Sequence, residues 1–377
     1  MTLEKESDKY SDCLKNVTEY FQEYCVNTSI HGLKFLGEKG RSLIERIWWF
    51  VFITASLYFC VSSIIEAYRK WEYSPVVVSF STSETPVWKI PFPAVTICPQ
   101  VKAQRKLVNF TRLILKKRNK QFLDKEENKQ LEYMSMICKT EWDLIGETNF
   151  TEIIDGNDII DFFIKIQPSF FDTVDRCYWL GKNCSEDIDY IFTPLITKEG
   201  ICYSFNLLDR NEIFTDHADN TFYDKFLIPR QPLSQWSLEK GYQFGSDLDA
   251  FPRRTTVGGV HGGLELLFNL NSSDLDYLCG DAIQGYKVIL HNPLQIPYVK
   301  QRYFRIGLNQ DVTIAVKPNI MTTSKQLEHY QSKRRRCFFN HEKKLKFFKV
   351  YDQQNCLHEC LSNFTHDYCG CVGFYML

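Results

Sequence analysis

The sequence predicts a membrane protein of mixed α+β class: one N-terminal transmembrane helix joined to a large, disulfide-rich extracellular domain. Three observations predict it. Residues 47–65 form an uncharged run, IWWFVFITASLYFCVSSII, bracketed by Arg46 and Glu66. Eleven of the 14 cysteines follow that run. Beyond it, charged stretches of helical periodicity are separated by short β-branched runs, the pattern of segregated helices and strands.

As a helix, those 19 residues cover about 28 Å, close to the hydrocarbon thickness of a bilayer. The run is too long for the apolar region of a signal peptide, and no small-residue cleavage site follows it. Trp48 and Trp49 at one end, and Tyr68 and Trp71 beyond the other, put amphipathic rings at headgroup depth. A buried core helix is the competing reading. Lys34, Lys39, Arg41 and Arg46 precede the run, whereas only Arg69 and Lys70 follow it before Lys89. That asymmetry puts the N-terminus in the cytoplasm. Five Asn-x-Ser/Thr sequons, at Asn109, Asn149, Asn183, Asn271 and Asn363, lie after the span, on the side where glycans are added. Asn16 and Asn27 then face the cytosol as chance matches. The expected division is a cytoplasmic tail (1–46), a transmembrane helix (47–68) and an extracellular domain (69–377), at the plasma membrane.

The 377 residues carry 45 Lys+Arg against 46 Asp+Glu, so no strong field for nucleic acid exists. Aromatic residues make up 15% of the chain, enough to build a core. In the oxidising space outside a cell, dense cysteines mean disulfides. Five of them crowd residues 337–371.

Along the chain, Val76–Phe80 reads as a strand after the helix-breaking Pro75. The segment 91–99, PFPAVTICP, is a rigid entry into the domain. Residues 102–139 are helical, with Leu107, Phe110, Leu113 and Ile114 on one face and Leu131, Met134 and Ile137 repeating the pattern. Lys116-Lys117-Arg118 alternates with Asp124, Glu126 and Glu127 as a solvated face. Residues 153–171 form a further helix ending near Pro168. Cys177 and Cys184 enclose six residues and bridge as a local loop. Residues 200–206, 263–270, 285–291 and 312–316 read as strands, and 209–257 as long surface loops.

No catalytic constellation is present, and no enzyme is expected. Gly258–Gly263 lacks the spacing and the Lys-Ser/Thr of phosphate-binding loops and reads as a strand connection. Cys356-x3-Cys360 and Cys369-x-Cys371 have zinc-like spacing, but outside the cell dense cysteines form disulfides. The acidic groups Asp155/Asp158/Asp161 and Glu186/Asp187/Asp189 read as solvated surface, with proton or cation sensing as the alternative. Lys333–Arg336 reads as a charged helix end beside Cys337 or as a protease site.

Several pieces occur in one order. They are 28–33 (TSIHGL), the span, 71–76 (WEYSPV), 91–99 (PFPAVTICP), 200–206 (GICYSFN), and Cys356-x3-Cys360 followed by 369–376 (CGCVGFYM). On these the chain resembles the degenerin/epithelial sodium channel superfamily, in particular its insect pickpocket branch. The resemblance implies a trimeric, amiloride-sensitive, sodium-permeable channel with two spans per subunit. Its exterior would be built as palm, finger, knuckle, β-ball and thumb. Sodium ions, like or unlike subunits and membrane lipid are the implied partners; no cofactor, metal or nucleic acid is.

The same resemblance assigns His31 and Gly32 to the gating segment. A re-entrant turn there uses the φ range open to glycine. It assigns Tyr73 to the wrist that couples exterior to span. It pairs Cys98 with Cys202 and Cys177 with Cys184. In the family the five terminal cysteines pair with later ones, which leaves Cys138 for Cys279.

The chain departs from the family in lacking the second span and its Gly-x-Ser filter, so a C-terminally truncated product that builds no selective pore alone is expected. The tryptophan that proton-gated members carry before the first thumb-end cysteine is replaced by Arg334-Arg335-Arg336. Two rival readings are a truncated regulatory subunit without its own pore and a type II single-span surface binding protein. No motif selects force, ligand, peptide or protons as the stimulus.

Overall fold

A computed structural model describes residues 2–73, 76, 78–138, 155–280, 284–299 and 302–377; the sequon Asn149 lies outside them. The chain divides into two compact units, Met1–Phe80 with Thr322–Cys337, and Ser81–Met321 with Phe338–Leu377.

The first unit contains helices α1 (Thr2–Asn27), α2 (Lys34–Gly37) and α3 (Leu43–Tyr73). The 31-residue α3 extends the apolar run at both ends, with a mean hydropathy of 1.8 and none of its apolar window buried. A core helix would be covered by its own chain, so this finding sets the core-helix reading aside. Trp48, Phe50, Leu57, Phe59 and Ile64 stand more than half exposed, a surface that needs lipid or neighbouring helices around it. Within the run, Thr54 Oγ1 donates to the carbonyls of Phe50 and Val51 at 2.6 and 3.0 Å, so this hydroxyl brings no unsatisfied group into an apolar medium.

The second unit is built on a five-stranded antiparallel sheet in the order β10-β9-β1-β5-β4, with β1 Ala94–Pro99, β4 Phe192–Thr197, β5 Gly200–Phe205, β9 Gly285–His291 and β10 Phe304–Gly307. Every residue of β1 and β5 is buried, which explains why both read as continuous apolar runs: the sheet is covered on its two faces. Helices α4 (Phe110–Arg118) and α5 (Lys125–Ile137) and the helix Gly156–Ile166 supply Phe110, Leu113, Leu131, Met134, Ile160 and Phe163 to the main core. Asp124 starts α5 through a capping box, accepting from Glu127 N at 2.7 Å while the Glu127 carboxylate accepts from Asp124 N. Lys116 of the basic run meets Glu127 at 2.5 Å, as the interleaved charges predict.

A smaller sheet, β3-β2-β8, joins β2 (Val174–Trp179), β3 (Lys182–Asn183) and β8 (Leu264–Phe268), and β6 (Trp236–Ser237) pairs with β7 (Gly241–Tyr242). The expected strand 312–316 does not form: residues 310–324 carry no regular structure, and Val312 and Val316 are exposed. β-Branched residues make a strand only where an edge is free to pair with them. The expected strand 76–80 likewise fails at its described residues, with Phe80 97% exposed.

Candidate functional site

The pre-span segment is a turn and a short helix folded back along α3. Gly32 has φ +94°, and a Cβ built on it would lie 3.4 Å from Ile53 and Trp49. The left-handed backbone is what calls for glycine here, since a Cβ would meet the helix in ordinary contact. Phe35 stacks on Trp49 with ring centroids 4.5 Å apart, and the Arg41 guanidinium lies 4.7 Å from the Phe35 ring centroid. Arg41 also pairs with Glu38 at 2.8 Å, and Arg46 donates to the Glu38 carbonyl at 3.1 Å. The Arg41 hydrogen bond holds the Glu38 carboxyl below its usual range. Gly37 meets Cys25 of α1, whose Cβ would lie 2.6 Å from a Cβ added there. His31 is exposed beside the buried Gly32.

At the other end of α3, Tyr73 is 65% exposed. Its neighbour Trp71 lies under the Arg334 guanidinium, 4.7 Å from Cζ to ring centroid, and the Tyr330 ring centroid lies 5.3 Å from that same atom. Arg334 Nε donates to the Glu72 carbonyl at 3.3 Å. The run Lys333–Arg336 forms the last part of a short helix, Ser332–Arg335, ending with Arg336 at φ 57°. Arg335 is buried and donates to the carbonyls of Leu327, Tyr330 and Cys337. A protease needs such a segment extended and its side chains free, so the geometry disfavours cleavage there.

The structure thus brings His31 and Gly32 together at one end of α3 and keeps Tyr73 apart. From Ile53 to Tyr73 is about 30 Å of helix at 1.5 Å per residue. Sequence reasoning missed the Trp71–Arg334–Tyr330 stack. Its only trace was a basic run standing where a relative carries an aromatic residue.

In the second unit, Cys98 bridges to Cys202, Cys138 to Cys279, and Cys177 to Cys184. The first joins adjacent strands β1 and β5; the third closes the β2–β3 hairpin. Of the described sequons, Asn183 and Asn271 are exposed, as is Asn363 on the helix Gln353–Cys369. Asn109 caps α4, accepting from Arg112 N at 2.9 Å, while the hydroxyl of its Thr111 donates to Asp276. Asp155 caps the helix Gly156–Ile166, and Asp161 pairs with Lys225 at 2.7 Å. Among the described residues no cluster of three or more His, Cys, Asp and Glu could hold a metal.

A polar chain crosses the central strands, buried at Thr96 and Ser204 and partly buried at His291. Thr96 Oγ1 lies 2.9 Å from Ser204 Oγ and 2.7 Å from His291 Nε2, and His291 Nδ1 lies 3.0 Å from the Asn292 carbonyl. The carbonyl assigns the proton to Nδ1, so Nε2 accepts from Thr96 and the ring is neutral. Burial pushes the His291 pKa down to about 4 from 6.5. The folded value lies below the unfolded one, so the neutral ring contributes stability that is complete above 6.5 and lost as pH falls to about 4. The loss should reach about 3 kcal/mol across that window. Thermal melts at pH 7 and pH 4.5 read it, and His291→Gln should remove most of the difference.

The fold and site define a chain with one long apolar helix, on which a glycine turn packs, and a disulfide-linked α+β unit. The chain belongs to the amiloride-sensitive sodium channel family, which it matches over residues 24–377; the family is one of non-enzymatic membrane channels. It is 27% identical over 371 residues to Pickpocket protein 28 of Drosophila melanogaster, covering 94% of this chain and 55% of that one. It is 23% identical over 373 residues to the sodium channel protein Nach of the same species, covering 94% and 63%. The epithelial sodium channel subunit gamma of Pelodiscus sinensis is 22% identical over 423 residues, covering 95% and 59%. The chain therefore spans a little over half the length of these relatives.

Proposed function

We propose that this chain belongs to a subunit of a trimeric, amiloride-sensitive, sodium-permeable channel gated by a stimulus acting outside the cell. Residues 1–46 are cytoplasmic and 69–377 extracellular, at the plasma membrane. The five-stranded sheet is the palm, α4, α5 and the helix Gly156–Ile166 the finger, and Gln353–Cys369 part of the thumb. The three disulfides brace this exterior, and Asn183, Asn271 and Asn363 are its glycan carriers, with Asn109 less open. The observation that carries the reading is the family match running without interruption from the pre-span segment through the span and beyond. The relative named as a subunit of an epithelial sodium channel supports assembly with other chains.

His31 and Gly32 form the inner gate turn. A left-handed backbone at Gly32 makes any Cβ there cost about 1–2 kcal/mol. Gly32→Ala should lower the amiloride-sensitive current of the complete subunit several-fold at equal surface expression. The reading itself is tested by recording from cells expressing the complete subunit, alone and with pickpocket relatives. A current whose reversal follows the sodium gradient and which amiloride blocks is expected. Surface-delivered protein with no such current in any combination would overturn it.

A further inference from the structure

We propose that Arg334 is the clasp tying the segment Thr322–Cys337 to the outer end of the span, and that it acts as the positioning residue through which exterior movement reaches α3. The inference rests on the channel reading above and names a different contact from Tyr73.

Four observations carry it. The segment 322–337 belongs to the same compact unit as the span, although some 250 residues separate them in sequence. The Arg334 guanidinium contacts two rings, Trp71 at 4.7 Å and Tyr330 at 5.3 Å. Such contacts are electrostatic and favour a planar, delocalised cation over an ammonium. Its Nε donates to the Glu72 carbonyl at 3.3 Å. That carbonyl lies in the last turn of α3, where no later helical N–H can reach it. A fixed positive charge there also meets the negative end of the helix dipole. Behind it, buried Arg335 knits the carbonyls of Leu327, Tyr330 and Cys337 into one body. Arg334 is therefore held on a rigid turn, and a displacement of that turn pulls on the helix terminus. Tyr73 is itself 65% exposed.

Hydrogen exchange on the chain in lipid nanodiscs tests this, read at residues 70–73 and 322–337. Arg334→Gln and Trp71→Ala should each speed exchange in both segments about tenfold. The double variant should add nothing beyond either single one, and Tyr73→Ala should leave both segments unchanged. Arg334→Lys, which keeps the charge without the planar stack, should fall between. Exchange in β1 and β5 is the folding control. Unchanged exchange at 70–73 in Arg334→Gln, or additive effects of the pair, would overturn the clasp. In the complete channel the same two variants should shift the stimulus–response midpoint non-additively, and unaltered gating would overturn the relay. Absence of current from the wild type itself would sink the channel reading instead, leaving the exchange result to decide the clasp.

Discussion

Replacing Glu199 by glutamine is expected to destabilise the second unit by about 3–5 kcal/mol, the cost of breaking a buried ion pair by removing its carboxylate. Glu199 sits in the two-residue turn between β4 and β5, and its side chain is 6% exposed. Lys287 of β9 reaches Oε1 at 2.7 Å and Lys102 reaches Oε2 at 3.4 Å, with side chains 1% and 5% exposed. Lys102 also donates to the carbonyls of Pro99 and Glu199, and Lys287 lies 5.1 Å over the Tyr303 ring. One carboxylate thus serves two buried ammonium groups from different parts of the chain. Glutamine keeps the shape and removes the negative charge that both ammonium groups face. Asp161→Asn, which breaks an exposed pair with Lys225, should cost under about 1 kcal/mol in the same assay. Denaturant unfolding of the purified protein compares the two. Similar small losses in both would show that the buried trio contributes no more than a surface pair.

The second large effect is expected at the bond between β1 and β5. Cys98 and Cys202 are both fully buried and 104 residues apart in sequence. On the chain-entropy account, closing a loop of that size restricts the unfolded chain by about 4.7 kcal/mol. The local Cys177–Cys184 bridge, 7 residues apart, gives about 2.5 kcal/mol on the same account. The Cys98→Ala/Cys202→Ala variant should therefore lose more stability than Cys177→Ala/Cys184→Ala, by about 2 kcal/mol. Melting of both double variants under non-reducing conditions measures the gap. Equal losses would mean that local packing, and not loop closure, sets what each bridge contributes.

Much of this architecture was legible in the residues. The uncharged run became α3 because nothing in its sequence can form a soluble face. The segments 91–99, 200–206 and 285–291 became the central strands because apolar and β-branched side chains fill both faces of a covered sheet. Charge misled in the other direction. Lys102, Glu199 and Lys287 each look like surface residues, and only the fold reveals them as one buried cluster. Val312–Val316 has the composition of a strand, yet pairing is a property of the neighbouring edge, which a local reading does not contain. Arg334 shows the same limit at the candidate site. A tribasic run beside a cysteine carries no sign that Trp71, more than 250 positions earlier, waits for its guanidinium.

The membrane orientation is the claim on which the rest depends, and glycan mapping on intact cells tests it most directly. Surface-labelled protein should drop in apparent mass when its N-glycans are removed enzymatically. Asn183→Gln and Asn271→Gln should each abolish one step of that drop, and a tag on the N-terminus should stay inaccessible to antibody until the cells are permeabilised. An unshifted protein whose residues 81–377 resist protease added outside would place the large unit in the cytoplasm and contradict the account.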